Sequence, residues 1–170
     1  MKRRAAAGVA RPLCGPAGRS PASHDLTILM ASETPPDPFH LDIRVYYEDT
    51  DAGGVVYYAN YLKFFERART EWLRRLGVNQ SELAVQEHRL FVVKKVEIQY
   101  RKPAALDDLL TLHSTISRIG RASITFRQLA YRGEELLCES TIEVCCIDAR
   151  TFRPAPLGAE LKTLLEEARI

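Results

Sequence analysis

One long amphipathic segment, with strand-patterned sequence on both sides of it, limits what this chain can build. Leu62, Phe65, Ala68, Trp72, Leu73 and Leu76 recur at helical spacing, with Lys63, Glu66, Arg67 and Arg74 between them, and Gly77 stands where a helix stops. Before it, Leu41, Ile43, Val45 and Tyr47 alternate with Asp42, Arg44, Tyr46 and Glu48, the period of a half-buried strand. After it, Asn79 or Ser81 can cap a short helix over 82–87. Four alternating runs follow near 90–100, 108–118, 122–131 and 134–147, punctuated by Pro103, Gly120 and Arg132-Gly133. Short turns between these runs predict antiparallel neighbours. Pro154 and Pro156 set off a last amphipathic helix over 157–168, with Leu161, Leu164 and Leu165 on one side. This order reads as α+β, an antiparallel sheet wrapped around one apolar helix. A single helix cannot cover both faces of such a sheet, so an uncovered face or edge is expected to meet a second copy.

A chain of 170 residues with a hydrophobic fraction of 46% can bury the core of one domain. Residues 1–38, rich in Ala, Gly, Pro, Arg and Ser, read as a disordered extension, 39–156 as the folded domain and 157–170 as a terminal helix. The formal net charge is +2, but Lys2, Arg3, Arg4, Arg11 and Arg19 against Asp25 give residues 1–29 a local +4, which leaves −2 for the rest. The folded part is not basic, so no nucleic-acid partner is expected. No apolar run approaches the roughly 18 residues of a membrane span. Lys2-Arg3-Arg4 begins like a signal peptide, yet Arg11, Pro12 and Pro16 interrupt what would be its apolar core. An acid-poor leader with arginines also fits a transit peptide. The preferred reading is simpler, with Met30 as an alternative start and 1–29 as an extension ahead of it. Cys14, Cys138, Cys145 and Cys146 show no C-x-x-C spacing and no histidine set to complete a zinc site, so no metal is expected. Cys145 and Cys146 fall on opposite faces of a strand and read as structural thiols of a reducing compartment.

Chemistry concentrates where the first strand meets the helix. The run Tyr46-Tyr47-Glu48-Asp49-Thr50-Asp51-Ala52-Gly53-Gly54-Val55-Val56-Tyr57-Tyr58-Ala59-Asn60-Tyr61 joins them through carboxylates and glycines. Asp51 lies in the turn that feeds a helix N-terminus, where free N–H groups around Tyr57–Ala59 and the positive end of the dipole can hold an anion or a developing oxyanion. Gly53 and Gly54 let that turn take positive φ and let a ligand approach the backbone. Asp49 could raise the pKa of Asp51 by like-charge repulsion, but the preferred reading is that it orders the turn by accepting backbone N–H bonds. A calcium loop does not fit, because the fifth position is Gly53 and the twelfth is Asn60 rather than Glu.

The stretch YYEDTDAGGVVYYANYLKFFERART resembles the signature of the 4-hydroxybenzoyl-CoA thioesterase family of hotdog-fold proteins, and within it most closely the Tol-Pal-associated acyl-CoA thioesterase branch. The likeness continues through FVVKKVEIQYRKPA and covers about residues 40–155. The resemblance implies a hotdog fold, an antiparallel five-stranded sheet around one long central helix, and acyl-CoA hydrolysis without metal or organic cofactor. It implies Asp51 as the catalytic carboxylate, either nucleophile or general base, the Tyr58 backbone amide as oxyanion donor, and Gly53, Gly54 and Val55 against the substrate. It further implies a cytoplasmic homodimer or homotetramer that pairs sheets edge to edge, with each site between subunits. The chain departs from the closest branch at Tyr58, where a histidine thought to assist catalysis is common.

Coenzyme A carries phosphates, so Arg101, Lys102, Arg118 and Arg121, at strand ends and turns, are candidates to meet them. His40, His88 and His113 are dispersed and read as surface or strand residues. Other hotdog thioesterases carry their carboxylate within the helix, but with Asp51 present Glu66 reads as structural, paired with Arg69 or Thr70. Two further classes compete: a non-catalytic binder of acyl-CoA or acyl carrier protein at the cell envelope or in lipid synthesis, which would tolerate loss of Asp51, and a hotdog dehydratase. The dehydratase needs a histidine by the helix, and residues 41–87 hold none.

Overall fold

The computed structural model describes residues 39–169. The expectations for residues 1–38, including Cys14 and a start at Met30, lie outside the described residues. The long helix α1 (Asn60–Arg75) buries Phe64, Phe65, Ala68, Trp72 and Leu73 on one face. It stops as the sequence predicts: Gly77 takes φ +82°, its N–H reaches the Arg74 carbonyl at 2.9 Å, and the Val78 N–H reaches Leu73 at 2.8 Å. Asn79 then caps α2 (Gln80–Gln86), its side-chain oxygen accepting the Ser81 and Glu82 N–H groups.

Five strands follow the sequence closely: β1 (Phe39–Arg44), β2 (Arg89–Tyr100), β3 (Leu109–Ile119), β4 (Ser123–Arg132) and β5 (Glu135–Asp148). They form one antiparallel sheet in the order β1-β3-β4-β5-β2. The expectation that each run pairs with the next holds for β3, β4 and β5 and fails for β2 and β3. Strand β2 lies at the far edge on β5, while β1 takes the open side of β3. The cause sits at the end of β2. Leu137 falls out of register in the β4–β5 ladder, and its carbonyl receives the N–H groups of both Arg101 and Lys102, at 2.8 and 3.1 Å. That anchors the chain at β5, and Pro103 sends it across as a crossover rather than a hairpin.

Strand β1 is also shorter than its alternation predicts. It ends at Arg44, and a 3₁₀ turn occupies Tyr47–Asp49. The Asp49 carboxylate accepts the Tyr46 N–H at 2.9 Å, which bends the chain and leaves Tyr47 82% exposed instead of core-facing. A last helix, α3 (Ala159–Glu167), buries Leu161 and Leu165 in the main core, with Leu164 only partly covered.

The sheet curls over α1. Alternate residues such as Leu110, Leu112 and Ile116 on β3, and Ile124, Phe126 and Ala130 on β4, fill the space beneath it. Trp72 stacks on Phe39 with ring centroids 5.7 Å apart and meets Phe126 edge-on at 6.0 Å. A polar pin crosses this apolar layer. Gln128 donates to the Phe65 carbonyl at 3.0 Å and to Ser114 Oγ at 2.8 Å, and it accepts from Arg69 Nη1 at 2.7 Å. The apolar pattern passed over Arg69, which lies four residues after Phe65 and three before Trp72, on the same helix face, and is buried with them.

Replacing Gln128 by Leu leaves a buried guanidinium, a hydroxyl and a carbonyl without their partner. A loss of about 2–3 kcal/mol is expected, measured by urea unfolding of Gln128→Leu against the wild type.

Candidate active site

Residues 50–56 close a small hairpin. Thr50 and Val56 pair as an antiparallel bridge, the Asp51 N–H donates to Val55 O at 2.9 Å, and the Gly54 N–H donates to Asp51 O at 2.9 Å. Gly54 takes φ +74°, a conformation costly for other residues. Gly53 does not share that conformation, and its value is one of approach. Its N–H donates to Asp51 Oδ1 at 2.8 Å, and a Cβ there would stand 3.0 Å from the same oxygen. The exposed Asp51 carboxylate is thus held by one oxygen, while among the described residues its other oxygen has no hydrogen-bond partner.

Asp49 takes the ordering role. It is buried, accepts the Tyr46 N–H on one oxygen, and receives Asn60 Nδ2 on its backbone carbonyl at 3.0 Å. The Tyr57 N–H also ends on that carbonyl, at 2.8 Å. Tyr57 is therefore removed from the Tyr57–Ala59 set expected to hold an oxyanion. Tyr58 and Ala59 remain: among the described residues neither N–H has an acceptor. Helix α1 has no side-chain cap and no acidic residue in its first turn, so its positive end is unanswered from within the helix.

A wall of tyrosines flanks this helix start. Tyr100 donates its hydroxyl to the Tyr58 carbonyl at 3.0 Å and meets the Tyr61 ring edge-on at 5.7 Å. Val56, Tyr58, Tyr61, Tyr100, Arg101 and Lys102 surround a cavity of about 300 Å³. Burial pushes the Tyr61 phenol up to about 12 and raises that of Tyr100, so both stay protonated near neutral pH. The Tyr61 hydroxyl has no hydrogen-bond partner among the described residues, although the Ala104 backbone lies near enough to pull its value down.

Sequence reasoning missed the moorings of the turn. Val56 N–H bonds to Ala104 O at 2.8 Å, and Val55 bridges to Ala105. The Ala105 N–H donates to Asp108 Oδ2 at 2.8 Å, and Arg132 Nη1 reaches the same oxygen at 2.6 Å while its Nη2 pairs with Glu135. Burial pushes the Asp108 carboxyl up, but the Ala105 N–H and the Arg132 guanidinium outweigh it and hold the group below its ordinary 3.8. The Val56–Ala104 and Asp108–Arg132 contacts join segments far apart in the chain, so no local spacing announces them.

The four cations expected near the mouth do not converge within one protomer. Arg101 pairs with Glu139 and Lys102 with Glu135, both next to the tyrosine wall. Arg118 pairs in register with Thr125, opposite Glu143, five residues along β5 from Cys138, so it is about 17 Å from the Tyr100 end along the strand direction and three strands across the sheet as well. Arg121 lies in the turn beyond it. Glu66 accepts the Thr70 hydroxyl at 2.7 Å, one of its two expected partners. His40 and His113 are cross-strand neighbours with ring centroids 6.3 Å apart, less dispersed than the sequence implied. Among the described residues no three metal-ligating side chains come together.

The model of the Thioesterase superfamily matches residues 53–139, beginning two residues after Asp51. The chain is 46% identical over 124 residues to the acyl-CoA thioesterase YbgC of Haemophilus influenzae, covering 73% of this chain and 91% of that one. It is 44% identical over 120 residues to the acyl-CoA thioester hydrolase YbgC of Escherichia coli O6:H1, covering 70% and 89%. The crystal structure of a Bartonella henselae protein, described as a probable thioesterase, superposes with a TM-score of 0.67 at 40% identity, over 70% of this chain and 98% of that one.

The salt-bridged Asp108 gives the moorings an acid limit. A carboxyl held below its ordinary value adds stability above about pH 4 and loses it as the pH falls through the native value. Asp108→Asn should therefore melt below the wild type at pH 7, with the two melting temperatures converging as the pH drops towards 3. A gap that stays constant across thermal melts over this range would refute that origin.

Proposed function

Because this chain belongs to the Thioesterase superfamily, we propose that it hydrolyses acyl-CoA thioesters to a carboxylic acid and free CoA, with Asp51 as the catalytic carboxylate. The observation that carries this reading is the pairing of a one-point-anchored, exposed Asp51 with an uncapped helix start whose Tyr58 and Ala59 amides have no acceptor among the described residues. A thioester carbonyl oxygen held by those amides gains stabilisation as it becomes an oxyanion, and the open oxygen of Asp51 can attack the carbonyl carbon or deprotonate a water. No imidazole stands at Tyr58, so proton transfer falls to Asp51 and water. Gly53, Gly54 and Val55 form the side of the turn along which the thioester would lie.

The functional unit in this reading is at least a homodimer, with a tetramer as its larger form. Strand β2 is a sheet edge carrying exposed Val92, Val93 and Val96. Antiparallel pairing of two β2 edges would also bring the Arg118 end of one protomer towards the Tyr100 end of the other, and so gather the separated cations around the CoA phosphates. The free thiols Cys138, Cys145 and Cys146 favour a reducing, cytoplasmic setting. No described helix is long and apolar enough to cross a membrane. Work beside the Tol-Pal envelope machinery, and acyl carrier protein as a second donor, belong to the same proposal and are testable by pull-down.

Free-thiol release from a panel of short-chain, long-chain and benzoyl CoA esters tests the activity. Turnover by the wild type should fall about 10²–10⁴-fold in Asp51→Asn. Ester binding without turnover in either protein would transfer the reading to a non-catalytic acyl-thioester binder. Sedimentation of the wild type should give a dimer or tetramer mass, and a monomer at micromolar concentration would remove the shared site.

A further inference from the structure

Arg69 has no part in the chemistry so far, and its surroundings are unusual for a cation. It is 7% exposed, and among the described residues it has a single hydrogen-bond acceptor, the neutral Gln128 Oε1. A guanidinium carries five N–H donors, and a buried one without a carboxylate is costly unless something else answers it. Burial draws this group down to about 10 even though the Glu66 carboxylate, near but not hydrogen-bonded to it, pulls the other way.

Arg69 also lines a trench. Two adjoining cavities, about 90 and 500 Å³, run between α1 and strands β2 and β5, and Arg69, Glu66 and Val93 belong to both. The floor is apolar, with Val93, Val96 and Ile142 in the larger cavity and Phe91 and Phe126 in the smaller. The helix side of the larger cavity carries Lys63, Arg67 and Arg69 against one carboxylate, Glu66, which is turned to the Thr70 hydroxyl. An apolar floor under a surplus of positive charge suits a molecule with a hydrocarbon body and an anionic end. The trench begins at Leu62, in the first turn of α1, just past the Tyr58 and Ala59 amides that lack an acceptor among the described residues. Arg69 lies ten residues beyond Ala59, about 15 Å further along the helix, the reach of a medium-length acyl chain.

We infer that this trench receives the acyl chain and that Arg69 makes it selective for medium-chain acyl groups ending in a carboxylate. The inference rests on the thioesterase reading for where the chain starts, and on the buried, under-bonded guanidinium for where it ends. Arg69 acts on specificity and touches no reacting atom.

The test compares kcat/KM for dodecanedioyl-CoA, which ends in a free carboxylate, with that for lauroyl-CoA of equal length, in full-length wild type, Arg69→Lys and Arg69→Met. The ratio within each protein cancels a general loss of activity. The wild type should favour the carboxylate-ended ester by about tenfold or more, the range of a charged hydrogen bond. Arg69→Lys should keep part of that preference, and Arg69→Met should bring the ratio to one or below. A wild-type ratio at or below one, or a ratio unchanged in Arg69→Met, overturns the inference, as it would if a second copy's helix filled the trench. Should the Met variant not fold, calorimetric binding of free dodecanedioate and laurate to the wild type decides: about tenfold tighter dodecanedioate is expected, and equal affinities overturn it. Tighter dodecanedioate with neither ester cleaved would remove the thioesterase reading and leave the trench assignment standing.

Discussion

Burial of α1 under the sheet sets the position of everything else. One helix supplies the apolar surface that five strands close over, and Trp72 against Phe39 and Phe126 fixes its far half. The near half then starts at the sheet rim, where Tyr61 packs on Tyr100 while Tyr58 ahead of it stays exposed. The Tyr58 and Ala59 amides just ahead of the first residue of α1 have no acceptor among the described residues, and the turn that precedes them is free to carry a carboxylate. The candidate site lies where this buried helix meets the exposed segment and turn that lead into it.

The turn itself borrows its rigidity. Asp49 uses its side chain to bend the entering strand and its carbonyl to receive Tyr57 and Asn60. Ala104 and Ala105 add a second edge, and that edge is held by Asp108 and Arg132. Two carboxylates two residues apart therefore do different work because their surroundings differ: one is enclosed and spent on the backbone, the other is exposed and, among the described residues, holds only the Gly53 amide. This division keeps the turn stiff without involving the group that would react.

Periodicity carried most of the fold. The helix, its Gly77 stop, the Asn79 cap and four strands were legible because each is a local pattern, and the turn with Asp51, Gly53 and Gly54 was legible as a motif. Tyr47 misled, since its alternation belongs to a strand that Asp49 ends early. The neighbours of β2 were not legible, because a short connection looks the same whether it closes a hairpin or crosses the sheet. Arg69 and the Asp108–Arg132 pair stayed hidden for a related reason: their partners lie 59 and 24 residues away, beyond any spacing rule. The mouth cations read as one group in the sequence and lie at two ends of the sheet.

The placement of β2 has a consequence for how the chain reaches this state. Strands β3, β4 and β5 follow one another through tight turns and can zip together with little loss of chain entropy. Strand β2 must pair with β5 across everything synthesised between them, Arg89 finding Asp148 and Tyr100 finding Cys138. Non-local pairing of this kind is slow, since the loop must close before any contact rewards it. The tyrosine wall, whose Tyr100 comes from the end of β2, is thus expected to assemble last, after the meander has formed a template for it. Until then β5 shows an open edge, and the same backbone that completes the site is the part most exposed to pairing with the wrong chain.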